Sequence, residues 1–580
     1  MTNQQDRNRA VPTLATALQW LDGVELEPTE KRDLRSAVET ACRWFRLPPD
    51  QVFADPVALR RLFKAVPAAA VGVSKKRRAN VKWGIGRLLE LAGIGPLAAR
   101  RTPLSPPWSA LIDALEDRRA QVLLRRFARF CCSCGVAPKE VSDKLASKFL
   151  VALEQQLRVA APRTTHRQTV IYWNRNVTSN AAFPTQLLAV PSYRNWYVLT
   201  WSAFPPSLVQ EIDSYLTMEA TSDPFDLSKP ARSLKASTIS TYRDRLLRFA
   251  SCLALAGADT ARLRSLSDLV QIGAVEKGLR YLACERGKRP LAAAVATVLL
   301  KIAKHHLRRP KKDVDFIAEI AARLAGGRKN LSPRVRAKLA PLKHEGTLAR
   351  LFLLPAALTR SLLRKATLTP KDAQLFQRAL ALALLTVAPL RIGSLCSVRM
   401  DRHFNWSGGA MKGDLIIEFA EGELKEDEPA SYPIPRETAN LIRTYWTRFR
   451  PLQDPRGSPF LFCGKDPERP RCKPAFSTAL TRLTLDRLGL WVNPHLYRHI
   501  VHLVVLRKFP GAYAMVARVL SHRSIETTIR NYSHYDGEIA MRAYQHLVED
   551  VKGSGPFEDV SELRAIAYGI DRESRNHAWG

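Results

Sequence analysis

The sequence predicts a mainly α protein in which several helical units precede a mixed α+β domain with a small antiparallel sheet. Three observations carry this. A chain of 580 residues exceeds what one hydrophobic core serves. Apolar residues at helical spacing, broken by Pro or Gly, fill nearly every stretch before about residue 400. A single pair of apolar, strand-like segments separated by a polar turn follows. A hydrophobic share of 46% with 25% charged residues fits a folded chain rather than a disordered one.

In chain order, residues 1–100 form a first helical unit, with helices expected around Leu14–Leu18 and Val81–Leu91. Residues 101–205 form a second, containing the basic amphipathic helix Arg118–Cys131 and ending near the aromatic Tyr197 and Trp201. Residues 206–340 form a third, whose helix over Ser237–Phe249 sets Ile239, Tyr242, Leu246 and Phe249 on one face with arginines beside them. Residues 341–550 are the mixed domain. A helix over Lys371–Val387 stops at Pro389, and a new one starts near Arg391. Asp414–Phe419 reads as a strand, with its partner around Ala430–Ile434. Residues 551–580 are a tail with one short amphipathic piece, Ser561–Ile570, suited to docking between protomers.

Ninety Lys plus Arg against 54 Asp plus Glu leave a formal charge of +36. An excess of that size calls for a polyanion whose counterions are released on binding, and double-stranded DNA leads the class. The run Lys75, Lys76, Arg77 and Arg78, and Lys235, Tyr242 and Arg243 on the third unit, are candidate backbone contacts; a solvated helix face explains each as readily. The nine cysteines are scattered and odd in number, and Cys131, Cys132 and Cys134 lack a second pair at zinc spacing, so buried thiols in a reducing cytoplasm are expected and no metal or cofactor is assigned. The polar start Met1–Arg9 does not read as a signal peptide, and the apolar run Ala379–Leu390 is too short to span a bilayer, so no membrane role and a nucleoid-associated cytoplasmic location are expected.

The most informative window is Asn493–His499 (NPHLYRH). Asn493 suits a helix cap and Pro494 the first helical position, so His495 and Arg498, three apart, share the N-terminal face. A phosphate there meets backbone N–H donors, a bidentate guanidinium and an imidazole that exchanges protons near neutral pH. Metal-free cleavage of a phosphodiester needs cations on the non-bridging oxygens, an in-line nucleophile and an acid for the leaving 5′ oxygen. Arg391, just past the Pro389 break, is a second cation at an expected helix start.

These segments resemble the tyrosine recombinase, or phage integrase, family over about residues 345–550. Its pattern runs Arg, a hairpin Lys, His-x-x-Arg, His or Trp, then Tyr, and Arg391, Lys425, His495 with Arg498, His522 and Tyr532 follow that order. The stretch Leu520–Thr528 resembles the family's LGHxSIxTT lead-in to the nucleophile. The resemblance implies that Arg391 and Arg498 clamp the scissile phosphate, His522 donates a hydrogen bond to it, His495 assists proton transfer and Tyr532 becomes joined to the 3′ phosphate. Bond energy held in the phosphotyrosine makes ATP and metal unnecessary. It also implies a core-binding helical domain at 206–340 closing a clamp with the catalytic domain, a homotetramer on two recombination sites, partner recombinases or accessory proteins as further candidates, and integration, excision or rearrangement of DNA, most simply of a mobile element.

Alternatives sit beside individual residues. His495, His499 and His502 lie on one helix but lack the acidic or cysteine companion of a metal site. Tyr535 competes with Tyr532, and Lys412, before the first expected strand, competes with Lys425, which Glu426, Asp427 and Glu428 follow. Two positions depart from the family: Ser394 stands where an acidic partner of the first arginine is usual, and Ser521 where glycine precedes the histidine. A type IB topoisomerase-like relaxing activity and a catalytically inactive DNA-binding accessory protein are the rival functions.

Overall fold

The computed structural model describes residues 12–521, except 94–102, 194–196, 224, 227–232, 327–330, 410, 425–427, 455, 465 and 510, together with a few isolated positions between 525 and 549. Lys425, His522, Tyr532, Tyr535 and the tail after 551 lie outside the described residues. The chain divides into two compact units, one made of residues 1–162 with 330–580 and the other of residues 163–329. That division is coarser than the five segments read from the sequence. It groups the N-terminal helices with the mixed α+β part and cuts the 101–205 segment after Pro162.

In the first unit the chain opens with α1 (Leu14–Asp22), α2 (Pro28–Phe45), α3 (Pro56–Ala65) and α4 (Lys75–Leu91). Each starts on a recognisable signal: Thr13, Asp55 and Ser74 accept hydrogen bonds from first-turn N–H groups of α1, α3 and α4, and Pro28 begins α2. Leu34, Val38, Ile85, Leu88 and Phe63 close a small core between them. Next come α5 (Pro106–Asp113), α6 (Arg118–Ser133) and α7 (Asp143–Glu154). α6 buries Ala120, Leu124, Phe127, Ala128 and Cys131, a stripe at three- and four-residue spacing, while its arginines stay outside. Phe127 meets Trp108 at 6.2 Å and Phe149 at 5.0 Å between ring centroids, which locks α5, α6 and α7 together.

The second unit holds α8 (Pro162–Ser179), α9 (Pro206–Ala220), α10 (Ala236–Leu255), α11 (Leu266–Leu269), α12 (Ile272–Arg280), α13 (Arg289–Lys301) and α14 (Lys311–Ala325). Its core joins Ile212 and Tyr215 of α9, Leu246, Phe249 and Leu253 of α10, Val275 and Leu279 of α12, and Val295 and Leu299 of α13. Gly278 is required there, since a Cβ would stand 2.5 Å from the Phe249 ring. α12 and α13 each loosen into a π turn at their ends, Tyr281–Glu285 and Ile302–His306.

The first unit resumes with α15 (Pro333–Leu339), α16 (Glu345–Leu363), α17 (Pro370–Val387) and α18 (Ile392–Ser397). A three-stranded antiparallel sheet in the order β1 (Phe404–Trp406), β2 (Leu415–Phe419), β3 (Ala430–Ile434) follows. Then come α19 (Arg436–Thr444), α20 (Lys473–Leu488), α21 (Pro494–Lys508) and α22 (Tyr513–Val519). The fold is therefore mainly α with a small antiparallel sheet. β2 and β3 occupy the strands read from the sequence, with Leu415 opposite Ile434 and Phe419 opposite Ala430; β1, only three residues long, was not foreseen. Leu415, Ile417 and Phe419 alternate onto the buried face.

α17 is the centre of this core. Ala373, Phe376 and every residue from Ala379 to Leu385 are buried, so the helix is apolar all round rather than striped. Burial of each such leucine contributes about 1.5–3 kcal/mol. Phe376 stacks on Phe449 with centroids 4.1 Å apart, and Gln377 donates to the Tyr445 hydroxyl at 2.8 Å while accepting from Arg471 at 2.6 Å. α16 is long and apolar enough by length and composition to cross a membrane; Leu351, Leu354, Leu358 and Leu362 instead join the same core. The N-terminal helices reach α20: the 3-10 turn Ala68–Val71 lies against Gly489, where a Cβ would sit 2.8 Å from the Ala70 backbone, and Lys75 pairs with Asp486 at 2.8 Å.

Candidate active site

α21 starts as its sequence demands. The Asn493 side chain accepts from the Leu496 N–H at 2.9 Å, and Pro494 fills the first helical position. His495 stands exposed on that first turn, and Arg498, one turn later, is only 5% exposed. The Arg498 guanidinium donates to the Pro389 carbonyl at 2.9 Å and to the Leu520 carbonyl at 2.6 Å. Neutral carbonyls satisfy the fork without cancelling its charge. The two bonds also join three distant pieces of chain at one point: the α17–α18 connection two residues before Arg391, the first turns of α21, and the end of α22 two residues before position 522.

Arg391 is the N-cap residue of α18, in extended conformation with φ −65° and ψ 145°. Its carbonyl accepts from the Leu395 N–H at 2.9 Å. Ser394 lies inside this helix, so at the position of the family's usual carboxylate the chain offers only a hydroxyl. The sites named from the sequence at Arg391, His495 and Arg498 are thus carried on segments that converge, whereas those at Lys425, His522 and Tyr532 fall outside the described residues.

His499 lies behind His495 at 5.0 Å, ring edge to face. Burial, with the neighbouring His495 and Arg498, lowers its pKa to about 4, so it is neutral at physiological pH and adds no charge to Arg498. His502 donates through Nδ1–H to the Arg498 carbonyl oxygen at 2.9 Å. Burial pushes the Tyr497 phenol up, which suits a core aromatic and not a nucleophile.

Ser521 follows Leu520 with φ +49°, in the left-handed region that glycine occupies at least cost. A glycine would adopt that conformation without the Cβ penalty. The serine hydroxyl lies 3.3 Å from the Tyr432 hydroxyl of β3, linking the sheet to the chain just before position 522. Beside this link a cavity of about 790 Å³ opens between Val387, Pro389, Tyr432, Ala517 and Arg518.

The unforeseen β1 changes the standing of Lys412. With β1 paired to β2, Lys412 sits exposed in the turn of a hairpin, its N–H bonded to the Gly409 carbonyl at 2.7 Å and its carbonyl accepting from Gly408 at 3.1 Å. Lys412 therefore occupies a connection between adjacent antiparallel strands, while Lys425 falls in sequence between β2 and β3, outside the described residues. Periodicity had no means of finding a strand as short as Phe404–Trp406.

The candidate backbone contacts are dispersed. Lys76 and Arg77 are exposed on the first turn of α4, Lys75 is paired with Asp486, and Arg78 donates to the Val66 carbonyl at 2.9 Å and to that of Phe63. In the other unit Lys235 is the N-cap residue of α10, and Tyr242 has the Lys301 ammonium 5.9 Å over its ring. Arg243 grips Asp213 through Nε at 2.8 Å and Nη2 at 3.0 Å, under the Trp201 ring at 5.1 Å.

No family model and no curated protein matches the chain. Among solved structures it is similar to XerA recombinase (16% identity, TM-score 0.24, covering 58% of this chain and 96% of that one). It is also similar to the XerH site-specific recombinase bound to difH substrate in a pre-cleavage complex (16% identity, TM-score 0.34, 64% of this chain and 95% of that one). A third is XerH bound to palindromic difH substrate in a post-cleavage complex (13% identity, TM-score 0.33, 75% and 98%). Likeness at these scores assigns no residue a role.

Proposed function

We propose that this chain cuts and rejoins DNA strands at defined sites through a 3′-phosphotyrosine on Tyr532, in the integration, excision or rearrangement of a mobile element. The observation that carries the reading is the anchoring of Arg498 on the Pro389 and Leu520 carbonyls. It supports a phosphate site in which a buried guanidinium fork lies where the segments leading to Arg391 and to His522 meet.

In this reading the two arginines and His522 bind the non-bridging oxygens. The Tyr532 oxygen attacks phosphorus as its proton passes to His495, the bond from phosphorus to the 5′ oxygen breaks, and a hairpin lysine, Lys425 or Lys412, protonates the departing oxygen. A 5′ hydroxyl from another strand reverses the step, so neither metal nor ATP enters. Four strand cuts on two duplexes call for four protomers, with residues 551–580 as a docking element and residues 206–340 as the core-binding domain.

The test is covalent trapping on suicide duplexes taken from the flanks of the coding region, followed by mapping of the modified peptide. An adduct on Tyr532 that disappears in Tyr532→Phe is the expected result. Tight binding without any adduct would favour an accessory role, and relaxation of supercoiled DNA without sequence preference a topoisomerase.

A further inference from the structure

A second cationic site lies in the first unit, far in sequence from the residues above. α3, α4 and α20 enclose an open cleft of about 640 Å³, with Val57, Phe63, Pro67 and Leu485 among its apolar lining. Arg61, Lys64, Lys82 and Arg482 also line it, Lys82 half-buried and the other three exposed, and none of them makes an ion pair with a described residue. Arg60 and Arg78, also in the lining, are held by carbonyls: Arg60 by Gln156 at 2.8 Å and by Glu154, Arg78 by Val66 at 2.9 Å and by Phe63. As with Arg498, carbonyl partners fix a guanidinium and leave its charge in place.

The opposing charge is small. Asp486 lines the cleft but is engaged with Lys75 at 2.8 Å, and the carboxylates of Asp55 and Glu154 act on Arg60. Lys82 is half-buried, with Arg78 and Arg60 as its charged neighbours, and burial together with those two cations lowers its pKa. Lys82 is thus a half-buried cation beside two more, and an anion in the cleft would offset that repulsion. The concave shape and a lining that draws guanidinium and ammonium side chains from three helices suit a phosphate better than a carboxylate-bearing protein surface.

We propose that the cleft between α3, α4 and α20 binds phosphate, carried either by the backbone of duplex DNA or by a soluble polyphosphate. The site is composite: Arg482 comes from α20 and the remaining cations from the N-terminal helices, and Gly489 at the end of α20 permits the close approach of the 68–71 turn that sets the two walls. It does not depend on Tyr532 chemistry.

The full-length chain is titrated with tripolyphosphate and, separately, with a fluorescent duplex, for wild type, for Lys82→Gln with Arg482→Gln, and for a charge-matched control removing the exposed cations Lys139 and Arg262. The cleft pair should lose at least about tenfold in affinity for one probe, and the control under about twofold. Competition between the probes assigns the source: tripolyphosphate displaced by duplex means DNA backbone, and tripolyphosphate undisturbed by duplex means a soluble ligand. Lys82→Gln should also raise the unliganded melting temperature, since a repelled cation is removed. Equal losses in the cleft and control variants, no binding of either probe, or a lower melting temperature for Lys82→Gln would each overturn the proposal. Gly489→Ala, which removes no charge, should weaken the same probe by separating the walls; unchanged affinity would reject the composite geometry.

Discussion

Two arginine-bearing helices invite comparison, α21 with Arg498 and α10 with Arg243. Both were singled out from sequence as phosphate contacts, and both guanidiniums are held at two atoms. Arg498 is held by carbonyls in a buried position, whereas Arg243 is held by the Asp213 carboxylate with its side chain 40% exposed. A carbonyl positions the fork and leaves a net positive charge; a carboxylate positions it and cancels that charge. What an arginine offers a phosphate is thus decided by its partner more than by the helix it stands on.

The largest effect should come from breaking the fork at the buried site. Arg498→Lys keeps the charge but loses the bidentate geometry and at least one of the two carbonyl bonds. Strand cleavage should fall by about 10²–10³, with duplex binding changed far less. Cleavage within about threefold of wild type would mean that the fork positions nothing.

The next effect concerns His499, the buried neutral neighbour of Arg498 on α21. His499 has a folded-state pKa of about 4 against an ordinary 6.5, so between those pH values the unfolded chain binds a proton that the folded chain does not. The stability is fully present above pH 6.5 and declines as pH falls toward 4. The loss over that window should be on the order of 3 kcal/mol. Denaturant unfolding of wild type and His499→Leu across that range should show the slope in the first and a flatter line in the second; parallel lines would remove burial of a neutral imidazole as its cause.

How much of this was legible in sequence varies with the physics. Caps and periodicity are local, so the start of α21 at Asn493 and Pro494, the span of α17 and strands β2 and β3 could be read directly. The partners of Arg498 could not, because Pro389 and Leu520 meet it only through tertiary packing. Nor could Asp213, which lies one helix away from Arg243 in the same unit. The strained backbone at Ser521 was visible only as a departure from a motif; its physical meaning needed the positive φ. Ser521→Gly tests that meaning. Relief of the left-handed conformation should stabilise the fold by up to about 1 kcal/mol, offset in part by glycine's extra freedom when unfolded and by loss of the Tyr432 contact. A fall in stability of more than about 1 kcal/mol would show that the hydroxyl contact outweighs the strain.

The smallest effects should lie on α10, and they sharpen the comparison most. Arg243 and Asp213 form an exposed pair, so screening limits it to roughly 0.2–1 kcal/mol of stability. If Asp213 cancels the arginine, Arg243→Gln should change duplex affinity by less than about twofold and leave its salt dependence alone. Asp213→Asn is the converse: it frees the same guanidinium without adding a residue, and should raise affinity and steepen the salt slope by about one phosphate contact. The two substitutions therefore separate a cation that is present from one that is available. Should Arg243→Gln instead weaken binding tenfold or more, the carboxylate would have to be exchanged for phosphate when DNA binds, and the distinction between the two helices would hold only for the free protein.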